Sequence, residues 1–146
     1  MILLKYFEEF IGEGTVNKVR VNKDRAKSLI AESERKRNYL NRMLEKLNIE
    51  NDNANDYVIY CYDIIMNLVR AKLFLDGYHI SGQGAHEAEV SYLRVLRFPE
   101  EEVRFLNQMR YFRNGILYYG TSLDKEYAEK VVAFTGEMYK KLIKMR

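Results

Sequence analysis

The residues best equipped for chemistry lie close together near the end of one segment: Arg110, Arg113, Asn114 and Tyr118. On a helix, positions 110, 114 and 118 form one i, i+4 row, so Arg110, Asn114 and Tyr118 share a face and Arg113 lies beside it. A guanidinium presents a planar fork of donors that matches a phosphate bidentately. Two arginines and an asparagine are also more polar than packing requires. The pattern has two readings: a phosphate or nucleotide site, or a polar face that hydrogen-bonds to other helices or to a second copy of the chain. Tyr111, Phe112, Tyr118 and Tyr119 would stack on bases in the first reading. With 12 Tyr in the chain, interface or core packing is their expected role.

Other chemistries lack their residues. The single cysteine, Cys61, allows no internal disulfide and no thiolate zinc site, and its apolar surroundings in sequence make it a small buried hydrophobe. There is no Gly-rich phosphate loop and no Ser-His-Asp order, and His86 with Glu87 and Glu89 lacks the spacing of a helical zinc site. No metal and no cofactor is expected. Arg35-Lys-Arg37, with Lys23, Arg25, Lys27 and Arg42, makes one helix basic, but Asp24, Glu32, Glu34 and Glu45 are interspersed. A salt-bridged exposed face is the expectation there, rather than a track for a nucleic-acid backbone.

The elements that position these residues are helical. The 146 residues, 47% hydrophobic and 31% charged, suit one domain with one core. One Pro and eight Gly allow long regular elements and argue against a many-turned β-sandwich. Net charge of +3 does not by itself mark a nucleic-acid binder. No apolar run approaches a membrane span, and Lys5, Glu8 and Glu9 break any secretory signal, so a cytoplasmic protein is expected.

Residues 2–11 read as a short amphipathic helix. A long helix is expected over about 22–48, with Ala26, Leu29, Ile30, Ser33, Leu40, Met43, Leu44 and Leu47 near a 3.6 period. Another over about 56–76 is apolar on more than one side and should be the most buried. Residues 78–84 read as a loop, followed by a short helix over about 85–97. Pro99 opens the next helix, which should run unbroken through Arg113 to Tyr119 and stop at Gly120. Thr121-Ser-Leu-Asp124 reads as a capping box before the last helix. The expected fold is all-α: an up-and-down bundle of five main helices plus a short N-terminal one, a single domain over 1–146 with its core at about 22–145 and no strand in that core.

Three stretches resemble the HEPN family of small helical-bundle proteins. Asn67-Leu-Val-Arg-Ala-Lys-Leu-Phe-Leu-Asp-Gly-Tyr78 looks like the family's second helix, which commonly closes on Gly-Tyr. Gly84-Ala-His-Glu-Ala-Glu-Val-Ser-Tyr-Leu93 resembles its short helix. Met109-Arg-Tyr-Phe-Arg-Asn-Gly-Ile-Leu-Tyr-Tyr119 looks like its signature of Arg, a polar residue and a following His. Arg113 matches the arginine and Asn114 the polar residue. Where the family places its His this chain has Tyr118, and where toxin-type members carry a Tyr two residues on it has Gly120.

The resemblance implies a protein that binds RNA or nucleotides, of the toxin–antitoxin and RNA-processing type, with the site in a cleft of a homodimer. A separate minimal nucleotidyltransferase is the implied partner. Active members are similar to metal-independent endoribonucleases, which need a base for the 2′-hydroxyl and a cation at the phosphate. Arg113 can supply the cation. Tyr118 is a poor base, since an ordinary Tyr titrates near 10 and His near 6.5. Weak or absent cleavage is therefore expected, with His86, delivered from another helix, as the alternative base. His79 reads as a loop residue without a chemical role. The competing reading is a non-enzymatic homodimeric interaction module with no nucleic-acid ligand.

Overall fold

The computed structural model describes residues 3–146. Six helices and two short strands follow in the order α1 (Phe7–Gly12), β1 (Val16–Lys18), α2 (Lys23–Lys46), α3 (Ala54–Asp76), β2 (Tyr78–Ile80), α4 (Ala85–Val95), α5 (Glu100–Tyr119) and α6 (Lys125–Ile143). This is the all-α bundle expected. The leading helix expected over 2–11 is observed as α1; Ile2 lies outside the described residues.

Helix α3 is the central element and contributes more buried residues than any other helix. It is apolar on several sides because α2, α4, α5 and α6 all pack against it. Helix α2 starts at Asn22, whose side chain accepts from the Arg25 N–H at 3.0 Å, and buries a stripe of Ala26, Ser33 and Leu40 at seven-residue spacing. Leu47, expected inside that stripe, is exposed because the helix ends there. Ser33 Oγ donates to the Ile64 carbonyl at 2.7 Å, and Tyr57 Oη donates to the Leu47 carbonyl at 2.8 Å. Later residues of α2 thus meet earlier residues of α3, an antiparallel pair.

The segment after α3 departs from the expected loop. Gly77 takes φ +82, and a Cβ there would come within 2.8 Å of the Val19 carbonyl oxygen. This close approach needs glycine. It lets β2 leave the helix and pair antiparallel with β1, with Val16 opposite Ile80 and Lys18 opposite Tyr78. A strand therefore lies inside the region expected to be purely helical. Two three-residue strands satisfy the backbone of an otherwise open connection, with Val19 N donating to Gly77 O at 2.8 Å and Ser81 N to Thr15 O at 3.1 Å.

This detour also sets the direction of α4. Arg70 meets Glu89 and Asp76 meets Tyr92, so residues further along α3 meet residues further along α4, and the two helices run in the same sense, not in the up-and-down order expected. Phe7, Tyr78 and Tyr92 cluster beside them, with ring centroids 4.7–5.7 Å apart. Arg94 ties the amino-terminal segment to α5 by donating to the Leu4 and Lys5 carbonyls and to Glu100.

Helix α5 runs unbroken from Glu100, with Pro99 as its N-cap rather than its first helical residue. It ends at Gly120, in the left-handed region. Gly115 leaves room for Thr121, whose Oγ1 would lie 2.8 Å from an added Cβ. The cap of α6 is Asp124, which accepts from the Tyr127 N–H at 2.9 Å, not the box from Thr121 expected from sequence. Asn55 holds this turn instead, donating to the Thr121 carbonyl and accepting from the Leu123 N–H. Among the described residues, no helix is long and apolar enough to cross a membrane.

Candidate functional site

Where α3, α4 and α5 meet, the bundle carries a polar seam in place of apolar packing. From α3 come Tyr62, Asp63, Asn67 and Arg70. Asp63, Asn67 and Arg70 are spaced i, i+4 and i+7, so they share one face of the helix. From α5 come Asn107, Arg110 and Arg113, and from α4 come His86, Glu87 and Glu89. Tyr62, Asn67, Glu89, Asn107 and Arg110 are all buried.

One end of the seam is closed by an ion pair. Arg70 donates to Glu89 through Nε at 2.7 Å and Nη2 at 3.1 Å. His86 Nδ1 lies 3.2 Å from Glu89 Oε1. Burial pushes the Glu89 carboxyl up, but the bonds from His86 and Arg70 outweigh it and leave the group below the ordinary carboxylate range. Glu89 is thus ionised near neutral pH and can only accept. The bond then requires Nδ1 to donate, which leaves Nε2 of a neutral His86 as a free acceptor. The His86 side chain is half exposed. Glu89 orients it as a carboxylate orients a general base.

The arginines of α5 are held differently from each other. Arg110 is buried, its Nε donates to Asn107 Oδ1 at 2.9 Å, and its Nη1 lies 4.0 Å from Glu87 Oε1. Arg113 lies over the ring of Tyr62, with Cζ 5.5 Å from the centroid. Its Nη2 lies 3.9 Å from Asp63 Oδ1, while Asp63 also faces Lys36 at 3.5 Å. Arg113 Nε is buried and has no hydrogen-bond partner; the hydroxyl of Tyr62, the residue whose ring it covers, has none either. Burial raises the Tyr62 phenol well above the usual range, as does Glu89, while Arg70, Arg110 and Arg113 pull it the other way.

The row Arg110–Asn114–Tyr118 does not form one environment. It runs from the buried Arg110 through the half-buried Asn114 to Tyr118, which is 75% exposed. Tyr119 and Leu117 are exposed beside it, as is Tyr111 one turn earlier than Asn114. The seam unites Arg110 and Arg113, and His86 and Arg110 approach it through Glu89 and Glu87. Tyr118 projects from the free end of the helix. Sequence reasoning missed the α3 half, Tyr62, Asp63, Asn67 and Arg70, although three polar residues at i, i+4 and i+7 in a helix this apolar mark a polar face.

The remaining candidates have structural surroundings. Cys61 is buried, and burial pushes its thiol up to about 11 against a hydrogen bond with Thr135, which disfavours the thiolate. His79 is exposed on β2 opposite Asn17. On α2, Arg35 pairs with Glu32, while Arg25, Arg37 and Arg42 lie over Phe74, Tyr139 and Tyr39. No group of His, Cys, Asp and Glu suited to a metal ion occurs among the described residues. Comparison with protein-family models, with curated proteins and with solved structures finds no match to this chain.

Proposed function

We propose that this chain is a HEPN-like protein that binds RNA or a nucleotide at the seam between α3, α4 and α5, with Arg113 as its principal phosphate contact. The observation that carries this reading is the state of Arg113. A structural arginine at a helix interface is normally saturated by protein acceptors. Arg113 has one carboxylate at 3.9 Å and a buried Nε with no partner. It is available to an acceptor that the chain itself does not provide.

Cleavage by this protein is weak or absent. Tyr118 stands at the exposed end of α5 and is a poor base at neutral pH. His86, oriented by Glu89, is the better placed base, and Arg113 would stabilise charge at the phosphate. A separate nucleotidyltransferase remains the partner that this reading implies. The test is binding of a short single-stranded RNA at low salt by wild type and Arg113→Ala, with circular dichroism to show that α5 stays folded. Loss of binding in a folded variant is the expected result.

A second reading is favoured by the exposed apolar end of α5. Leu117, Tyr118 and Tyr119 suit a contact with another copy of the chain, and Tyr is enriched at interfaces. If wild type binds no RNA and no nucleotide at low salt, the chain is a homodimeric interaction module.

A further inference from the structure

Among the described residues, three buried polar side-chain atoms lack a hydrogen-bond partner: Tyr62 Oη, Arg113 Nε and Tyr127 Oη. Tyr127 packs among aromatic rings, stacked on Phe105 and edge-on to Phe112. The other two belong to the seam, where Arg113 lies over the Tyr62 ring. Tyr62 is 2% exposed. An unsatisfied buried polar group is expensive, and two of them on a pair of stacked side chains call for a common cause.

Their chemistry specifies the missing partner. Arg113 Nε can only donate, and the Tyr62 hydroxyl has a proton to donate. One group with several acceptor oxygens satisfies both. The neighbouring carboxylates are already engaged: Glu89 by Arg70 and His86, Asp63 by Lys36. Arg70 and Glu89 offset each other near Tyr62, and Arg110, on the same helix as Arg113, adds positive charge there. A compact oxyanion is therefore the partner that both donors would take.

The closure of the site selects among oxyanions. Both donor atoms are shielded from solvent, and the Arg113 side chain is one quarter exposed. Only the long Asp63 contact at 3.9 Å and the Tyr62 ring hold that side chain, and a ligand reaches the two donors by displacing it. A phosphate within a strand carries chain on both sides and has only two free oxygens. A terminal phosphate has three and enters end-on.

We infer that the seam is a socket for a terminal phosphate monoester, with Tyr62 Oη and Arg113 Nε as donors and Arg110 supplying charge. The shared chemistry covers the end of an RNA strand and a free mononucleotide. This inference rests on the RNA or nucleotide reading above and specifies which part of the ligand is gripped.

The test compares one short single-stranded RNA with a 5′-phosphate, with a 3′-phosphate and with neither, together with AMP and adenosine. Each is titrated against wild type, Tyr62→Phe and Arg113→Ala. Tyr62→Phe removes one hydroxyl and keeps the ring, so it should fold at least as well as wild type, which thermal melting checks. The expected result is tighter binding of a phosphate-bearing ligand, abolished in Arg113→Ala and reduced about tenfold in Tyr62→Phe. If AMP alone shows this dependence on Tyr62, the socket stands and its ligand is the mononucleotide. If all three RNAs bind equally and Arg113→Ala weakens them equally, the socket is overturned while RNA binding stands. If nothing binds, the RNA or nucleotide reading itself fails.

Discussion

The guanidinium of Arg113 lies over the ring of Tyr62, 5.5 Å from its centroid, and each of the two side chains keeps a buried polar atom without a partner. The stacked pair joins α3 to α5 within the polar seam. It stabilises the fold through the ring face and leaves the donors unused.

Removing the unused donor should therefore not destabilise the protein. Tyr62→Phe deletes a buried hydroxyl that makes no hydrogen bond and preserves the volume of the ring. The variant is expected to match or exceed wild-type stability by up to about 1 kcal/mol in urea denaturation. A loss of about 2 kcal/mol would mean that the hydroxyl is satisfied in solution by a fixed water or a protein group.

The Arg70–Glu89 pair should behave in the opposite way. Glu89→Ala leaves Arg70 without its bidentate partner at a largely buried position, and a loss of about 2 kcal/mol is expected. Because the Glu89 carboxyl is held below its ordinary range, its contribution is present above the unfolded carboxylate pKa and disappears as pH falls through the lower folded value. Thermal melting followed from neutral pH down through the carboxylate range should show this decline. In Glu89→Gln that part of the acid sensitivity should be missing.

Gly77 controls the path of the chain between α3 and β2. Gly77→Ala forces a side chain into the left-handed region and sets its Cβ against the Val19 carbonyl. A destabilisation of about 2 kcal/mol or more is expected from chemical denaturation. A neutral result would show that β1 and β2 separate readily.

How these features were written in the sequence differs between them. The helices were legible because burial on one or several faces leaves an apolar period, and Gly77 and Gly120 stop two of them as glycine does at left-handed caps. The strands were not, because three residues carry too short an alternation and the partners Val16 and Ile80 lie far apart along the chain. The cap of α6 lies three residues beyond Thr121 because the Thr121 backbone closes the end of α5, its N–H donating to the Gly115 carbonyl and its carbonyl accepting from Asn55. In the site, Arg110 and Arg113 stood out by type. Tyr62 did not, because a tyrosine in an apolar helix has the composition of core, and only its position under Arg113 separates it from the other eleven.

The exposed end of α5 carries a prediction about assembly. Leu117, Tyr118 and Tyr119 present apolar surface that a single copy leaves in water. Light scattering at tens of micromolar should show a homodimer, and Tyr118→Ser with Tyr119→Ser should shift it toward monomer without lowering the melting temperature of the monomeric fold. A wild-type monomer at that concentration would count against an interface there.

Cleavage separates the two candidate bases. In a metal-free assay with labelled RNA, wild type is expected to be slow. His86→Gln should lower whatever activity exists by about a hundredfold, the usual scale for a general base. Tyr118→His should raise activity only if the end of α5 meets the site across a dimer. Brisk cleavage by wild type that is indifferent to His86 would remove His86 from the mechanism.

The central claim, that Arg113 grips a phosphate and is not a structural arginine, is tested most directly by the salt dependence of RNA binding. Affinity of wild type and Arg113→Ala for one short 5′-phosphorylated single-stranded RNA is measured across a series of salt concentrations. Neutralising one phosphate fewer should reduce the slope of log affinity against log salt by about 0.7. The account predicts weaker binding by Arg113→Ala, a slope shallower by about that amount, and an unchanged melting temperature. Equal affinity and equal slope for the two proteins, or a variant that binds less only because it unfolds, would contradict it.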